Sequence, residues 1–173
     1  RRRRRARDLW RDRARDVVFG EVLLRTLLES TPVCDLNMER FLTMARHALL
    51  EDEEVGVLHV SQTAFGCALA RQCFINGYVF ACTERECDRA RAIRDRLVAR
   101  LRRGEAPSPL TIAVVAAYFP LFSVPHAEAL LSRAWGEPVA GLLNQQLREP
   151  ADERSARGRI PRLTSIDDDV SLT

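Results

Sequence analysis

Apolar residues recur every three to four positions along most of the chain, with charged and polar residues between them, which is the pattern of amphipathic helices. Proline, glycine and short polar stretches separate about six to seven such segments. One short apolar stretch resembles a strand, but it has no second strand to pair with. The predicted fold class is therefore all-α, an irregular helical bundle followed by an extended C-terminal linker.

Local start signals place several of these helices. Asp35 is a good N-cap, Thr83 and Glu86 have the spacing of a capping box, and Ser108 precedes a proline at the first helical position. The predicted helices cover about residues 6–29, 36–50, 57–76, 84–103, 109–118, 125–134 and 137–148.

The segments between and around these helices carry further expectations. The helix at 57–76 is apolar nearly all round, which predicts a central and buried position. The acids at 51–54 are predicted to form a loop, and residues 78–82 a packed connector.

Composition changes after Pro150. Residues 151–165 are polar and Arg-rich and predict an extended linker, and Ser165 with Asp168 resembles the cap of a helix that has barely begun at Thr173. The predicted organisation is a basic helical arm at 1–16, a helical domain at 17–149, and a linker with the start of a truncated helix at 150–173. Because the chain also lacks an initial Met, we expect it to be a fragment of a longer protein.

Charge is unevenly distributed. The formal net charge is +3, yet residues 1–16 hold nine Arg and three Asp, so the remaining residues are net acidic. A nucleic-acid-binding domain is expected to carry a basic face rather than a basic end. The arginine run at 1–5 also lacks the interleaved aromatic residues of a single-strand binding platform. We interpret it as the solvated start of a helix and do not expect nucleic acid as a partner.

The five cysteines include no C-x-x-C pair, which favours reduced, mostly buried thiols and a cytoplasmic location. No apolar run approaches the roughly 18 residues of a membrane span, so no membrane association is expected. The start of the chain has no apolar stretch after its arginines and does not resemble a signal peptide.

Candidate chemistry is sparse. A zinc site needs three or four convergent ligands, and the three histidines share no helical spacing with one another: His47, His59 and His126. Cys82 and Cys87 flank the capping box at a spacing that is poor for a metal knuckle or a redox pair, so structural thiols are favoured, as for Cys73.

Motifs for nucleophilic or phosphate chemistry are missing as well. No glycine-rich phosphate loop occurs. No nucleophile-elbow context surrounds the serines Ser61, Ser123 and Ser132. The acids at 167–169 are interpreted as helix-start charges rather than metal ligands. No catalytic, cofactor-binding or metal-binding residue is therefore assigned.

One resemblance extends this picture. Four stretches resemble, in their residues and in their order, a helical segment of certain bacterial proteins. In those proteins the segment lies between tetratricopeptide-type repeats and a class I S-adenosylmethionine-dependent methyltransferase domain. The four stretches are residues 27–36, 70–80, 117–121 and 160–168. The resemblance covers roughly residues 23–172. It implies a parent protein that could be such a methyltransferase. No residue matches the glycine-rich cofactor loop, so neither S-adenosylmethionine binding nor methylation is carried over to this chain.

The leading functional hypothesis is a non-catalytic helical accessory or interaction domain of such a multidomain protein. It would contact a neighbouring domain or a protein partner through its apolar helices, the helix at 57–76 and the segments 110–118 and 121–124. The alternative is a stand-alone helical adaptor whose arginine-rich arm binds nucleic acid or an acidic partner. A third, weaker hypothesis is a small enzyme with a pocket that brings Cys73, His59 and acids together.

Overall fold

The computed structural model describes residues 18–55 and 60–157, and these form an all-helical bundle, which confirms the predicted fold class. Two 3₁₀ segments, Leu121–Ser123 and Ala127–Ser132, lie between the α-helices Pro109–Tyr118 and Glu137–Leu143. A π-helical turn, Asn144–Arg148, joins the helix Glu137–Leu143 to the helix Glu149–Arg157. The α-helices of the described residues are labelled α1 Val22–Ser30, α2 Leu36–Val55, α3 Val60–Ile75, α4 Glu84–Arg102, α5 Pro109–Tyr118, α6 Glu137–Leu143 and α7 Glu149–Arg157.

The predicted caps start three of these helices. Asp35 accepts hydrogen bonds from the backbone N–H groups of Asn37 and Met38, at 3.0 and 2.8 Å. Thr83 caps α4, and Ser108 caps α5, whose first residue is proline. Each oxygen satisfies an N–H group that has no partner within its own helix.

Helix α3 lies at the centre of the bundle and packs against α1, α5 and α6. At Gly66 the neighbouring helices are near, and a Cβ atom there would lie in ordinary contact, 3.4 Å from Ala113 and 3.5 Å from Leu49. Every residue of α5 from Leu110 to Ala117 is buried. Among the described side chains of α3 and of residues 110–117, none is exposed. This burial explains why neither helix has a polar face.

Three element boundaries differ from the prediction. The first helix is interrupted at Glu21, whose extended backbone starts α1, and residues before 18 lie outside the described part. The acids predicted as a loop at 51–54 belong to α2 instead. They have partners on other helices, since Asp52 accepts from Gln62 and Glu53 accepts from Thr111.

The C-terminal boundary differs too. Pro150 was expected to end the helical domain, but α7 includes it, so the described part of the predicted linker is helical up to Arg157. The π-helical turn directly before Pro150 gives the reason, because it widens the helix where the proline ring would otherwise meet a preceding carbonyl group. The rest of that linker and the predicted helix at 166–172 lie outside the described residues.

Within the described part of the chain, no helix combines the length and the apolar character that a membrane span requires. The segment 78–82 is a connector, as predicted, and Phe80 from it is buried in the core. The helix predicted at 125–134 is the shorter 3₁₀ segment that begins after His126, whose backbone is left-handed.

Candidate functional site

The histidines that were weighed as metal ligands have separate surroundings where the structure describes them. His47 lies beside Glu51 and Glu86, at 3.8 and 3.7 Å, whereas His126 accepts a hydrogen bond from Arg102 elsewhere on the surface. Among the residues with described side chains, no three histidine, cysteine, aspartate or glutamate side chains could together hold a metal ion. His59 and the acids at 167–169 lie outside the described residues.

Two of the three serines considered as nucleophiles donate hydrogen bonds to backbone carbonyls of their own turns. Ser123 donates to the carbonyl of Pro120 and Ser132 to that of Ala129, and the side chain of Ser61 lies outside the described part. Surface grooves of about 430 and 500 Å³ run along α4, and both are lined by arginine, acidic and small apolar side chains. Cys73 lines neither of them, so they do not form the pocket of the enzyme hypothesis.

The cysteines fall into two groups. Cys67 and Cys73 are buried thiols, and burial raises the pKa of each to about 12, so both stay protonated and unreactive at neutral pH. Cys82 and Cys87 form a disulfide, so the expectation of two free thiols there is wrong. Cys34 is an exposed free thiol.

A buried ion pair joins α2 to α4. Arg46 is 2% exposed and Glu86 5%, and their side chains approach to 3.4 Å. The same guanidinium nitrogen donates to the carbonyl of Ala81 at 2.7 Å. Tyr118 from α5 donates its hydroxyl to the Glu86 carboxylate at 2.6 Å, and the guanidinium lies 4.4 Å from the Tyr118 ring centroid. We call these four residues the Arg46 cluster.

The Arg46 cluster has the composition of a reactive site but the geometry of a structural one. Its charged atoms face one another, and burial raises the pKa of Tyr118 well above its usual value, so the hydroxyl remains a donor. The sequence alone could not reveal this cluster, because Arg46 and Glu86 lie 40 positions apart. It holds three helices and the connector together.

A second buried cluster holds the turn after α3. Gln146, which has no exposed surface, donates to the carbonyl of Ala70 and accepts from the backbone N–H of Leu121. Tyr78 donates to the carbonyl of Ala116 at 3.0 Å. The backbone of Tyr78 is left-handed, with φ 61°, which is uncommon for a residue other than glycine and follows from this anchoring. The cluster is structural as well.

The segment 22–34 presents an uncharged, partly apolar surface. Although 29% of all residues are charged, the exposed positions of this segment carry no charge: Val22, Leu23, Thr26, Leu27, Ser30, Thr31, Pro32 and Cys34. Leu23 is 75% exposed and Val22 62%. By contrast, the exposed positions of α4 are nearly all Arg, Asp or Glu.

The hydroxyl groups of this surface are already used. Thr26 donates to the carbonyl of Val22, and Ser30 donates to that of Thr26, each four residues back along α1. Leu23 and Leu27 are four residues apart and share one side of the helix. We call Leu23, Thr26, Leu27 and Ser30 the outer face of α1.

The opposite side of α1 is firmly attached. Leu28 is fully buried, and Arg71 of α3 pairs with the Glu29 carboxylate at 3.0 Å. Helix α1 therefore has apolar residues on two sides, one in the core and one in solvent. Uncovered leucines at neighbouring helical positions are typical of a surface that another element covers.

The apolar helices that are predicted to contact a partner are distinct from α1. Helices α3 and α5 contribute their apolar residues to the domain's own core. Of the segment 121–124, Leu121 and Val124 are buried and Phe122 is 46% exposed. No family model, curated protein or solved structure matches the chain.

Proposed function

We propose that this chain is a non-catalytic helical interaction domain whose outer face of α1 packs against a neighbouring domain of the same polypeptide. One observation carries the proposal: Leu23 and Leu27 lie on one side of α1 at 75% and 41% exposure, and no exposed position of 22–34 is charged. A surface that faces only water has no need of this composition, whereas an interface core is depleted in charged residues.

The position of the outer face of α1 indicates what kind of partner would cover it. The outer face of α1 belongs to the first complete helix of the described part, and Leu36 at the start of α2 adds a further apolar residue that is 66% exposed. Leucines presented by a rigid helix suit an apolar helix or domain surface better than a small polar ligand. The resemblance to segments that join repeats to a methyltransferase domain supports a domain of the same polypeptide as that occupant.

The test compares this chain with the longer polypeptide read from its open reading frame. Hydroxyl-radical footprinting measures how fast solvent-exposed side chains are oxidised. We expect Leu23 and Leu27 to be oxidised several-fold more slowly in the longer polypeptide. Val79, which is 73% exposed on the connector, is the matched control and should not change. Equal oxidation of both leucines in the two proteins would overturn the proposal, as would a reading frame without a further domain.

Two further measurements separate the parts of this proposal. Binding of S-adenosylmethionine to this chain alone, measured by calorimetry, would overturn the non-catalytic assignment. A reading frame that encodes a domain unrelated to methyltransferases would overturn the resemblance while leaving the interaction surface in place.

The uneven charge favours a second candidate, a stand-alone adaptor that binds nucleic acid or an acidic partner through residues 1–16, which carry a net charge of +6. Such binding would weaken steeply with salt, because each phosphate contact releases counterions. It would also disappear on removal of residues 1–15. Salt-independent binding, or binding unaffected by the deletion, would exclude this candidate.

A further inference from the structure

The positions of Cys82 and Cys87 relative to α4 explain why their side chains meet. With Thr83 as the N-cap, Cys82 occupies the position before the cap and Cys87 the fourth position of the helix. Apolar side chains at these two positions pack together across many helix starts, an arrangement known as the hydrophobic staple. The Cα atoms of the two cysteines are 6.3 Å apart, within the range that a disulfide spans.

The residues beside the two cysteines are those that hold Arg46. Ala81, whose carbonyl accepts from the guanidinium, directly precedes Cys82. Glu86, whose carboxylate faces the guanidinium, directly precedes Cys87. The disulfide therefore connects the two backbone segments that close around the Arg46 side chain. Opening the disulfide releases one constraint on both contacts at once.

Access to solvent distinguishes this disulfide from the buried thiols. Cys82 is exposed and Cys87 is half-buried, so a small thiol can reach the sulfur of Cys82. The sulfur of Cys87 lies in the first turn of α4, where the helix dipole favours the thiolate that leaves when Cys82 is attacked. Cys67 and Cys73 are fully buried and take no part.

We propose that Cys82 and Cys87 form a reversible thiol–disulfide site, with a low-molecular-weight thiol such as glutathione as its reductant. One thiolate attacks the Cys82 sulfur, the disulfide breaks, and Cys87 leaves as a thiolate and takes up a proton. A second thiol attacks the mixed disulfide and releases Cys82 as a thiol. The protein disulfide gains two electrons and two protons, and two thiols become one small disulfide. Reduction loosens the first turn of α4 and its hold on Arg46.

The test equilibrates the full chain with mixtures of reduced and oxidised glutathione, traps free thiols by alkylation and locates them by mass spectrometry. We expect Cys82 and Cys87 to become alkylated together along one two-electron titration curve. Alkylation of both cysteines in fully oxidised glutathione would overturn the proposal. So would a disulfide that persists in excess dithiothreitol, or alkylation of Cys82 while Cys87 carries glutathione. C34S is the control and should leave the curve unchanged.

Hydrogen exchange tests the link to α4. The Cys87 N–H donates to the Thr83 carbonyl at 2.9 Å, and we expect its exchange to become about tenfold faster on reduction, through local opening of the helix start. The double variant C82S/C87S should exchange like the reduced protein in every glutathione mixture. If that variant does not fold, the reduced natural chain supplies the same comparison. Equal exchange in the oxidised and reduced chain would overturn the loosening of α4.

Discussion

Replacing Arg46 with methionine tests whether the Arg46 cluster is a coupled unit. Methionine keeps an unbranched apolar side chain but lacks the guanidinium group, so the variant leaves the Glu86 carboxylate buried with the Tyr118 hydroxyl as its close donor. Removing one partner of a buried ion pair costs about 3–5 kcal/mol, because the remaining charge has lost its compensation. At 2% and 5% exposure, water reaches neither group to replace the lost contact.

The double variant R46M/E86Q decides how much of that cost is due to the uncompensated charge. Glutamine keeps an oxygen that can accept from Tyr118, and no buried charge remains. We therefore expect the double variant to lose less stability than the two single variants lose in sum, with a coupling energy of about 1–3 kcal/mol.

Urea unfolding followed by circular dichroism supplies the free energies. For R46M we expect the midpoint to fall by about 1–2 M, with a slope similar to that of the natural chain. The control is R91A, which breaks the exposed pair of Arg91 with Asp88 and should cost no more than about 0.5 kcal/mol. Additive losses to within about 0.5 kcal/mol would refute coupling through the cluster.

Three further predictions follow from burial and packing. Burial raises the pKa of both tyrosines of the chain above the ordinary value of about 10, so their contribution to stability is complete below that pH and is lost as pH rises above it. Absorbance at 295 nm should therefore rise only together with alkaline unfolding. A chromogenic disulfide reagent at pH 8 should titrate Cys34 alone in the native oxidised chain, and Cys67 and Cys73 as well after unfolding. Gly66→Ala should raise the free energy of unfolding by up to about 1 kcal/mol, because the added methyl group fits in ordinary contact with Ala113 and Leu49 and alanine favours the helix.

Each of these has a result that contradicts it. Phenolate absorbance near pH 10 with helix content unchanged would mean that at least one tyrosine is solvated, and Y78F and Y118F would identify which. Fast reaction of more than one thiol in the native chain would contradict the burial of Cys67 and Cys73, with C34S as the blank. A destabilised Gly66→Ala variant would show that α3 and α5 lie too close for a methyl group, and Gly141→Ala inside α6, where a Cβ atom would meet only the end of the Arg71 side chain at 3.5 Å, is the matched control.

The sequence predicted features that depend on neighbouring residues better than features that depend on residues far apart in the chain. Helix α5 begins and ends where predicted, because Ser108 and the following proline start it and the proline at 120 prevents its continuation. Helix α2 extends past its predicted end because the partners of Asp52 and Glu53 lie on other helices. A run of acids taken alone predicts a loop, because the sequence does not show which partners on other helices the acids will have.

The same distinction applies to the candidate site. The disulfide has a local cause, and the positions of Cys82 and Cys87 around the N-cap would have predicted that the two side chains meet. A five-residue spacing matches neither a metal knuckle nor a redox motif, so only the helix-start geometry indicates the pairing. The outer face of α1 has no such local signal, because a row of leucines in the sequence does not tell which of them the rest of the chain covers.

The buried polar groups of the described part act on the packing of the helices. In the part of the chain that the structure describes, the buried polar side chains of Arg46, Glu86 and Gln146 have their contacts within the bundle, with backbone carbonyls, backbone N–H groups or one another. The Arg46 cluster fixes α2, α4 and α5 relative to one another, because a slip of one of them would separate Arg46, Glu86 and Tyr118. A rigid bundle of this kind presents α1 in a fixed orientation. Its uncovered leucines then lose little conformational entropy on docking, which is what an apolar interface between two domains requires.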